Sequence, residues 1–445
     1  MTATGRIVRW SVLVIAIAMG AIRLVGLHGI WPAVRIAEGS MAPNLLGEHF
    51  QLTCRDCRMV VRYDAHAPPR DGRVVCWNCG ADNDHRIDQR VQAGQRVLID
   101  RRAFDWRTPN RWDVVAFPMP DHPSRWAVKR ILGLPGERIQ FRQGNVIANG
   151  RIVRKSLAQL RRMALLVHDN DRQPPRELGM PPRWRTEFPD SEWHADGSRL
   201  LFRPQEGGRQ PLDWTFYQHW PGYAGVVTRA EPSPILDNDG YNQQLSRRLN
   251  VVTDIMLACR IRIGDGHGRL AFEITDLTDR YRIELCFRHR QLVWFRNFDE
   301  RSRVTLPRFA FARRVLVELA WCDGQLLFAI DGHTLIRDVW EDDDSDRSHR
   351  QEREDVSNAD SRDPISRIAI GAEGTKITVD RLRVLRDVHY LPPSYVEPHW
   401  MLGPDEVFVV GDNVPLSRDS RHWKRPGVPV QQLWGRVLAV KQLQK

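Results

Sequence analysis

Two side chains in the sequence could together perform acyl transfer, the hydroxyl of Ser40 and the amine of Lys129. A serine hydroxyl is a poor nucleophile and needs an adjacent base, yet no histidine stands in a recognisable triad context and no Gly-x-Ser-x-Gly elbow is present. Lys129 lies in the apolar run 126–132. A strand there would bury the amine, lower its pKa and allow it to accept the Ser40 proton. Taken alone, this stretch is better explained by a solvated basic pair of Lys129 and Arg130.

A third stretch, residues 411–421, changes that interpretation. It reads Gly-Asp-Asn-Val-Pro-Leu-Ser-Arg-Asp-Ser-Arg. Together with Ser-Met-x-Pro at Ser40 and Lys-Arg-x-x-Gly-x-Pro-Gly at Lys129, it resembles the type I signal peptidases, whose motifs occur here in the family's order. The resemblance covers residues 34–50, 95–155 and 396–445, about a third of the chain.

The resemblance implies a serine endopeptidase that removes signal peptides from exported precursor proteins. Ser40 would be the nucleophile, Lys129 the general base, and Ser417 would orient Lys129 by a hydrogen bond. The substrate would bind as an added strand, with shallow pockets for small side chains, and catalysis would need no cofactor. Supporting positions that hold the geometry of the site would be Arg130, Asp412, Asn413, Asp419 and Arg421.

The sequence departs from the family pattern at a few positions around these motifs. Glu38 stands where some members have a serine that contributes to the oxyanion hole. We expect its carboxylate to point away, leaving the Ser40 backbone N–H to stabilise the oxyanion. Asn44 replaces the usual threonine after the proline, and residues 414–416 replace polar residues of the third motif.

The N-terminal part of the chain predicts a membrane anchor. Trp10–Trp31 provides 22 residues interrupted by one charge, Arg23, and about twenty apolar residues cross a bilayer core. A cleaved secretory signal is the alternative, but no small-x-small cleavage site follows the run. Arg6 and Arg9 place the N-terminus in the cytoplasm, which predicts a single-pass protein of the plasma (inner) membrane with its catalytic domain on the outer side.

Four of the seven cysteines form a second candidate site. Cys54 and Cys57 are separated from Cys76 and Cys79 by 18 residues, which is the spacing of a four-thiolate zinc ribbon. Two disulfides are the alternative outside the cytoplasm. Any zinc would be structural, because nothing nearby suggests an open coordination position. Three further cysteines are predicted to be buried free thiols, Cys259, Cys286 and Cys322.

Composition and strand patterns indicate a mostly β protein. The net charge of +11 comes from scattered arginines without a nucleic-acid motif, so we expect a solvated or lipid-facing surface and no nucleic-acid partner. Many period-2 strands with tight turns between residues 244 and 390 predict a β-sandwich similar to laminin G or concanavalin-like jelly rolls. Its expected role is either that of a structural insertion or that of a domain with a glycan or protein ligand. The acidic stretch Glu341–Asp363 is expected to be a loop of that domain.

These observations predict an N-terminal transmembrane helix, a β protease core, a small four-cysteine insert and a large β-sandwich. The predicted boundaries are 1–33 for the tail and anchor; 34–50, 91–157 and 391–445 for the core; 51–90 for the insert; 158–243 for an irregular linker; and 244–390 for the sandwich. The main alternative function is a catalytically inactive, membrane-tethered adhesion or glycan-binding protein on the same core. A self-cleaving repressor with a Ser/Lys dyad would need a DNA-binding domain where the anchor stands.

Overall fold

The computed structural model describes residues 10–20, 31–87, 90–205, 211–220, 230–264, 267–276, 279–307, 314–339, 367–393 and 398–438. The chain folds as two compact units. The first comprises Met1–His49, Gln92–Arg151 and Tyr390–Lys445, and the second comprises Phe50–Val91 and Ile152–His389.

The described elements are mainly strands, which confirms the mostly β prediction. Residues 10–20 form helix α1 and Leu157–Met163 form α2. Short 3-10 turns span Gly39–Met41, His85–Ile87, Arg176–Leu178 and Val430–Gln432. The strands, numbered in chain order, are β1 Ala33–Arg35, β2 His49–Thr53, β3 Val60–Asp64, β4 Arg73–Val75, β5 Asp82–Asp84, β6 Arg96–Asp100, β7 Val114–Met119, β8 His122–Gly133, β9 Arg138–Arg142, β10 Asn145–Ala148, β11 Arg151–Ile152, β12 Leu165–Asp169, β13 Trp184–Thr186, β14 Trp193–Asp196, β15 Arg199–Phe202, β16 Asp213–Tyr217, β17 Ile255–Ile263, β18 Arg269–Thr275, β19 Arg280–Cys286, β20 Gln291–Arg296, β21 Asp299–Thr305, β22 Val315–Cys322, β23 Gln325–Ile330, β24 His333–Val339, β25 Arg367–Glu373, β26 Ile377–Arg386, β27 His399–Met401, β28 Glu406–Val410, β29 Gly427–Pro429 and β30 Gly435–Leu438.

The first unit is organised by an antiparallel sheet in the order β1-β6-β30-β7-β8-β28-β29. The β-branched and aromatic runs of its central strands alternate between two faces, as half-buried strands do. Register pairs Val115 with Lys129 and Val410 with Arg130. The end of β28 therefore delivers the third sequence motif, which begins at Gly411, beside the strand that carries Lys129.

The second unit contains a two-sheet β-sandwich. One sheet runs β14-β15-β26-β17-β22-β23-β24, with β12 also paired to β26, and the other runs β13-β16-β25-β18-β19-β20-β21. Apolar side chains such as Leu257, Phe272 and Phe328 fill the space between the sheets. Helix α2 begins with a capping box formed by Ser156 and Gln159 and packs its apolar face on the first sheet.

The structure differs from the prediction that residues 158–243 form an irregular linker. This stretch contains α2 and strands β12–β16, and all five strands belong to the sheets of the sandwich. The large side chains that fix them, Trp184, Trp193, Phe202 and Tyr217, are buried in the sandwich core. They are spaced too irregularly among proline and arginine to produce a period-2 pattern. The predicted loop Glu341–Asp363 lies outside the described residues.

The four cysteines lie in the second unit on two hairpins, β2–β3 and β4–β5. Aromatic and apolar residues, including Phe50, Val61, Tyr63 and Val74, form a small core with the cysteines.

No helix in the described part of the chain is both long and apolar enough to cross a membrane. The predicted anchor Trp10–Trp31 is described only over α1 and at Trp31, since residues 21–30 lie outside the described part. In α1 the large apolar side chains are exposed, among them Trp10, Val14, Ile17 and Met19.

Candidate functional site

The amine of Lys129 is buried in the first unit. Lys129 is 4% exposed and lies between Ala127 and Ile131, which point to the same face of β8 and belong to an apolar cluster with Val115. Four lysines occur in the part of the chain that the structure describes, and two of them, Lys129 and Lys155, are buried. Lys155 pairs with two carboxylates, whereas no ion pair to Lys129 is found among the described residues.

Burial lowers the pKa of the Lys129 ammonium group. Desolvation lowers its pKa from 10.5 to about 8, against the charges of Asp419, Glu38 and Asp412, which favour the ammonium. A pKa near 8 leaves about a tenth of the amine neutral at pH 7, several hundredfold more than a solvated lysine would provide. Burial in the apolar strand β8 therefore makes Lys129 a weaker base than a solvated lysine.

The Ser40 hydroxyl lies on the 3-10 turn Gly39–Met41, directly after the short edge segment that follows β1. Met41 is buried in an apolar cluster with Ile36 and Leu45, which fixes the turn. Asn413 holds the turn from the other side. Its backbone N–H donates to the Ser40 carbonyl at 3.1 Å, and its side-chain amide donates to the Gly39 carbonyl at 2.9 Å. Asn413, a predicted supporting residue, thus stabilises the backbone of the turn that carries Ser40.

Gly411 is the point where the serine turn and the third motif touch. A Cβ at this position would lie 2.3 Å from the Ser40 carbonyl oxygen and 2.3 Å from Ser417 Oγ. Only glycine allows so close an approach. Ser417 is buried, and its hydroxyl has no hydrogen-bond partner among the described residues. A buried hydroxyl without a partner is costly in a purely structural role, so it is available to a neighbouring donor or acceptor.

Two buried ion pairs support the site. Arg130 donates from Nε and from its terminal nitrogen to the two oxygens of Asp412, at 2.7 and 2.6 Å. Asn44 adds a third donor to Asp412 at 2.9 Å, a role that the sequence did not suggest. The Arg130 guanidinium also donates to the Trp112 carbonyl at 3.0 Å. This pair connects β8 with the residue that follows Gly411.

The second pair joins Asp419 and Arg421. Arg421 donates to both oxygens of Asp419, at 2.8 and 2.9 Å, and to the carbonyls of Val414 and Ser417. The Gly411 N–H also donates to Asp419 at 3.1 Å. Burial acts to raise the pKa of Asp419, but Arg421 together with His422 holds it well below its usual value. Asp419 is therefore a fixed anion whose charge favours the protonated form of Lys129.

Ser420, whose role the sequence left undefined, is structural. Its hydroxyl accepts a hydrogen bond from the Val409 N–H at 2.9 Å, and its own N–H donates to the Val409 carbonyl.

Strand β8 contacts the turn that carries Ser40. Within the described residues no hydrogen bond joins the Ser40 hydroxyl to the Lys129 amine. Such bonds are often long in enzymes without substrate. Glu38 is exposed and pairs with Arg125 at 2.6 Å.

The four-cysteine cluster has the dimensions of a tetrahedral thiolate site. The Sγ atoms of Cys54 and Cys79 lie 3.6 Å apart, as do those of Cys57 and Cys76, and all four lie within 4.8 Å of one another. Tetrahedral zinc with bonds of about 2.3 Å sets its sulfurs about 3.8 Å apart. A disulfide would need about 2.05 Å. The donor set and its spacing therefore fit a structural zinc ion.

The comparisons with known proteins relate part of the chain to one family. The family described as "Signal peptidase, peptidase S26" matches residues 7–182, a range that contains Ser40 and Lys129 and ends before Gly411. The predicted resemblance to type I signal peptidases is thereby confirmed, and it supports a serine protease of the hydrolase class.

The individual relatives match only part of the chain. Signal peptidase I V of Bacillus subtilis (strain 168) is 36% identical over 62 residues, which is 14% of this chain and 36% of that protein. Probable signal peptidase I-2 of Synechocystis sp. is 31% identical over 74 residues, covering 15% and 33%. The chain thus spans about a third of the length of these curated relatives.

A solved carbohydrate binding module from Bacillus subtilis aligns with a TM-score of 0.27 and 10% identity, covering 45% of this chain and 94% of that one.

Proposed function

We propose that this chain is a membrane-anchored serine endopeptidase that removes signal peptides from exported precursors by Ser40/Lys129 acyl transfer. The observation that carries the proposal is the buried, weakly basic Lys129 on the strand that contacts the Ser40 turn. A surface lysine would stay protonated at neutral pH and could not accept a proton.

In the proposed mechanism the neutral Lys129 amine takes the Ser40 proton while Ser40 Oγ attacks the carbonyl that follows a small residue of the precursor. The Ser40 backbone N–H stabilises the resulting oxyanion. The Lys129 ammonium then protonates the leaving amine. A water molecule, activated by the same amine, hydrolyses the acyl-enzyme and restores Ser40.

The free hydroxyl of Ser417 supports its proposed role as the group that orients Lys129. Its Oγ lies against Gly411, which also contacts the Ser40 carbonyl. Ser417, Gly411 and Ser40 are therefore neighbours. The ion pairs of Arg130 with Asp412 and of Arg421 with Asp419 fix the strands around these residues. They do not reach the reacting atoms in this proposal.

Membrane anchoring is the second part of the proposal. The exposed apolar side chains of α1 would be poorly placed in water, and they lie within the predicted anchor Trp10–Trp31. Insertion with the N-terminus in the cytoplasm would hold the protease outside the plasma membrane, where a precursor emerges. A glycan or protein ligand of the sandwich stays a prediction.

The four cysteines are proposed to hold one structural zinc ion, which would staple the two hairpins and take no part in proteolysis. Metal content and free thiol number of the purified chain test this directly. One zinc per chain is expected. The absence of zinc together with fewer than seven titratable thiols after unfolding would favour disulfides.

The test of the catalytic proposal uses the full chain in lipid vesicles and a signal-peptide precursor as substrate. Ser40→Ala and Lys129→Ala should each abolish cleavage. Two matched controls, Ser124→Ala on the exposed part of β8 and Lys424→Ala on the surface, should cleave like the parent. Cleavage by either of the first two variants at the parental rate would refute the assignment.

A further inference from the structure

A buried arginine, Arg183, lies beside the four-cysteine cluster without a carboxylate partner. It is 5% exposed, and among the described residues no aspartate or glutamate forms an ion pair with it. Its guanidinium donates to the carbonyls of Asn78 and Trp220, each at 3.0 Å, and lies 3.8 Å from the centre of the Trp220 ring. A guanidinium keeps its charge in proteins, and burying an unpaired charge is costly.

The other titratable groups around Arg183 cannot balance its charge. Burial together with Arg183 lowers the pKa of His168 to about 3 and that of His219 well below its usual value, so both imidazoles are neutral. Burial raises the pKa of Tyr217 to about 12, so the phenol is neutral as well. The contact that joins Arg183 to the cysteine cluster is a hydrogen bond from its guanidinium to the carbonyl of Asn78, which lies between Cys76 and Cys79.

We propose that Arg183 is the counter-charge of a metal–thiolate centre formed by the four cysteines. Four thiolates around one divalent ion carry a net charge of −2, whereas two disulfides would carry none. The inference rests on the proposed zinc site. It adds Arg183 as a positioning residue and favours zinc-bound thiolates over two disulfides. A lone buried cation beside neutral disulfides would be left uncompensated.

Asn78 connects this charge to the sulfurs. It lies between Cys76 and Cys79 and is fully buried. Its side-chain amide lies 3.8 Å from Cys57 Sγ and donates to the Arg172 carbonyl at 2.8 Å. The side-chain carbonyl accepts from the Asp169 N–H at 2.7 Å, while the backbone carbonyl accepts from Arg183.

The contacts of Asn78 reach the sandwich itself. Asp169 ends β12, which pairs with β26, and Arg183 immediately precedes β13. Gln243 also exchanges hydrogen bonds with the backbone of Val75 in β4. Metal binding therefore also stabilises the sandwich strands that the Arg183–Asn78 contacts hold.

The test is a thermodynamic cycle that combines Arg183→Met with zinc removal in the full chain. Zinc affinity is measured by competition with a chromophoric chelator, and thermal unfolding is recorded with and without zinc. Arg183→Met should weaken zinc binding about 10- to 100-fold, as loss of groups next to the ligands of a metal does. Zinc should also raise the melting temperature of the parent more than that of the variant.

Two further variants keep the test decisive. Arg185→Met removes an exposed arginine two residues away and should bind zinc like the parent. Arg183→Lys keeps the charge and should bind zinc more tightly than Arg183→Met. If Arg183→Met does not fold, the cycle is run with Arg183→Lys, which should still lose affinity because it loses the planar contacts to two carbonyls.

The outcomes separate the two proposals. A parent protein without zinc and with oxidised cysteines would overturn the metal proposal together with this inference. A parent that holds zinc, with an Arg183→Met variant that holds it equally tightly, would overturn the inference on Arg183 alone.

Discussion

The burial of Lys129 should lower the stability of the folded protein, because the ammonium group loses its solvation when the chain folds. Its pKa lies at about 8 in the folded protein and at 10.5 when solvated. Below pH 8 the amine is protonated in both states, so the full cost of burying its charge is present. As the pH rises from 8 to 10.5, only the unfolded chain keeps the proton and the cost fades. The difference of about 2.5 pKa units corresponds to about 3 kcal/mol.

Lys129→Met fills the same space without a charge and should therefore make the protein more stable while abolishing cleavage. At pH 7 the expected gain is about 3 kcal/mol, and at pH 9.5 it should fall to about 1 kcal/mol, because part of the cost has then disappeared from the parent. Denaturant unfolding of both proteins at the two pH values measures the gain. Lys424→Met, which removes an exposed lysine, should leave stability unchanged at both.

A Lys129→Met variant that is less stable than the parent at pH 7 would refute the reasoning. So would a gain that does not depend on pH, because it would mean that the ammonium is not destabilised by its surroundings.

Other perturbations probe the electrostatics, orientation and core of the protein. Glu38→Gln removes a charge that favours the Lys129 ammonium, so the midpoint of the rise of kcat/KM with pH should shift down by a few tenths of a unit. Ser417→Ala should lower kcat about 10- to 100-fold with little change in KM or melting temperature, since a misplaced Lys129 slows only the chemistry. Lys155→Met leaves the buried carboxylates of Asp323 and Asp387, each 2.7 Å from Lys155 Nζ, without their cation. It should cost about 3–5 kcal/mol in urea unfolding at pH 8 and less at pH 5, because burial raises the pKa of Asp387 and eases its protonation once the cation is gone.

Each of these has a matched control and a contrary outcome. Glu300→Gln, at an exposed pair with Arg303 in the second unit, should leave the pH profile unshifted, and an equal shift there would remove the local explanation for Glu38. Ser124→Ala should keep the parental kcat; a Ser417→Ala variant that matches it would contradict the orienting role. Lys376→Met removes an exposed lysine and should not destabilise the sandwich.

The sequence was most informative where a motif and an apolar strand coincided. The run around Lys129 predicts a buried strand because its residues are apolar on both sides, and the structure buries Lys129 in β8. The position of the third motif beside it depends on sheet register, which pairs Val410 with Arg130. No property of residues 411–421 alone specifies that neighbour.

The contacts that the sequence could not supply are those between distant residues with ordinary composition. Asn44 looked like a departure from a motif, yet it donates to Asp412 across 368 residues. Arg183 was one of many arginines in a stretch interpreted as a linker, and its importance lies in burial and in the absence of a carboxylate among its described neighbours. Such roles depend on tertiary burial, which composition and periodicity do not encode.

The central claim is tested most directly by covalent labelling of the nucleophile. The full chain is treated with an acylating, hydroxyl-directed inhibitor in lipid vesicles, and the labelled peptide is identified by mass spectrometry as a function of pH. We expect a single label on Ser40, a labelling rate that rises with pH with a midpoint near the Lys129 pKa of about 8, and loss of labelling in Lys129→Met. A label on another serine, or labelling of Ser40 in Lys129→Met at the parental rate, would contradict the claim.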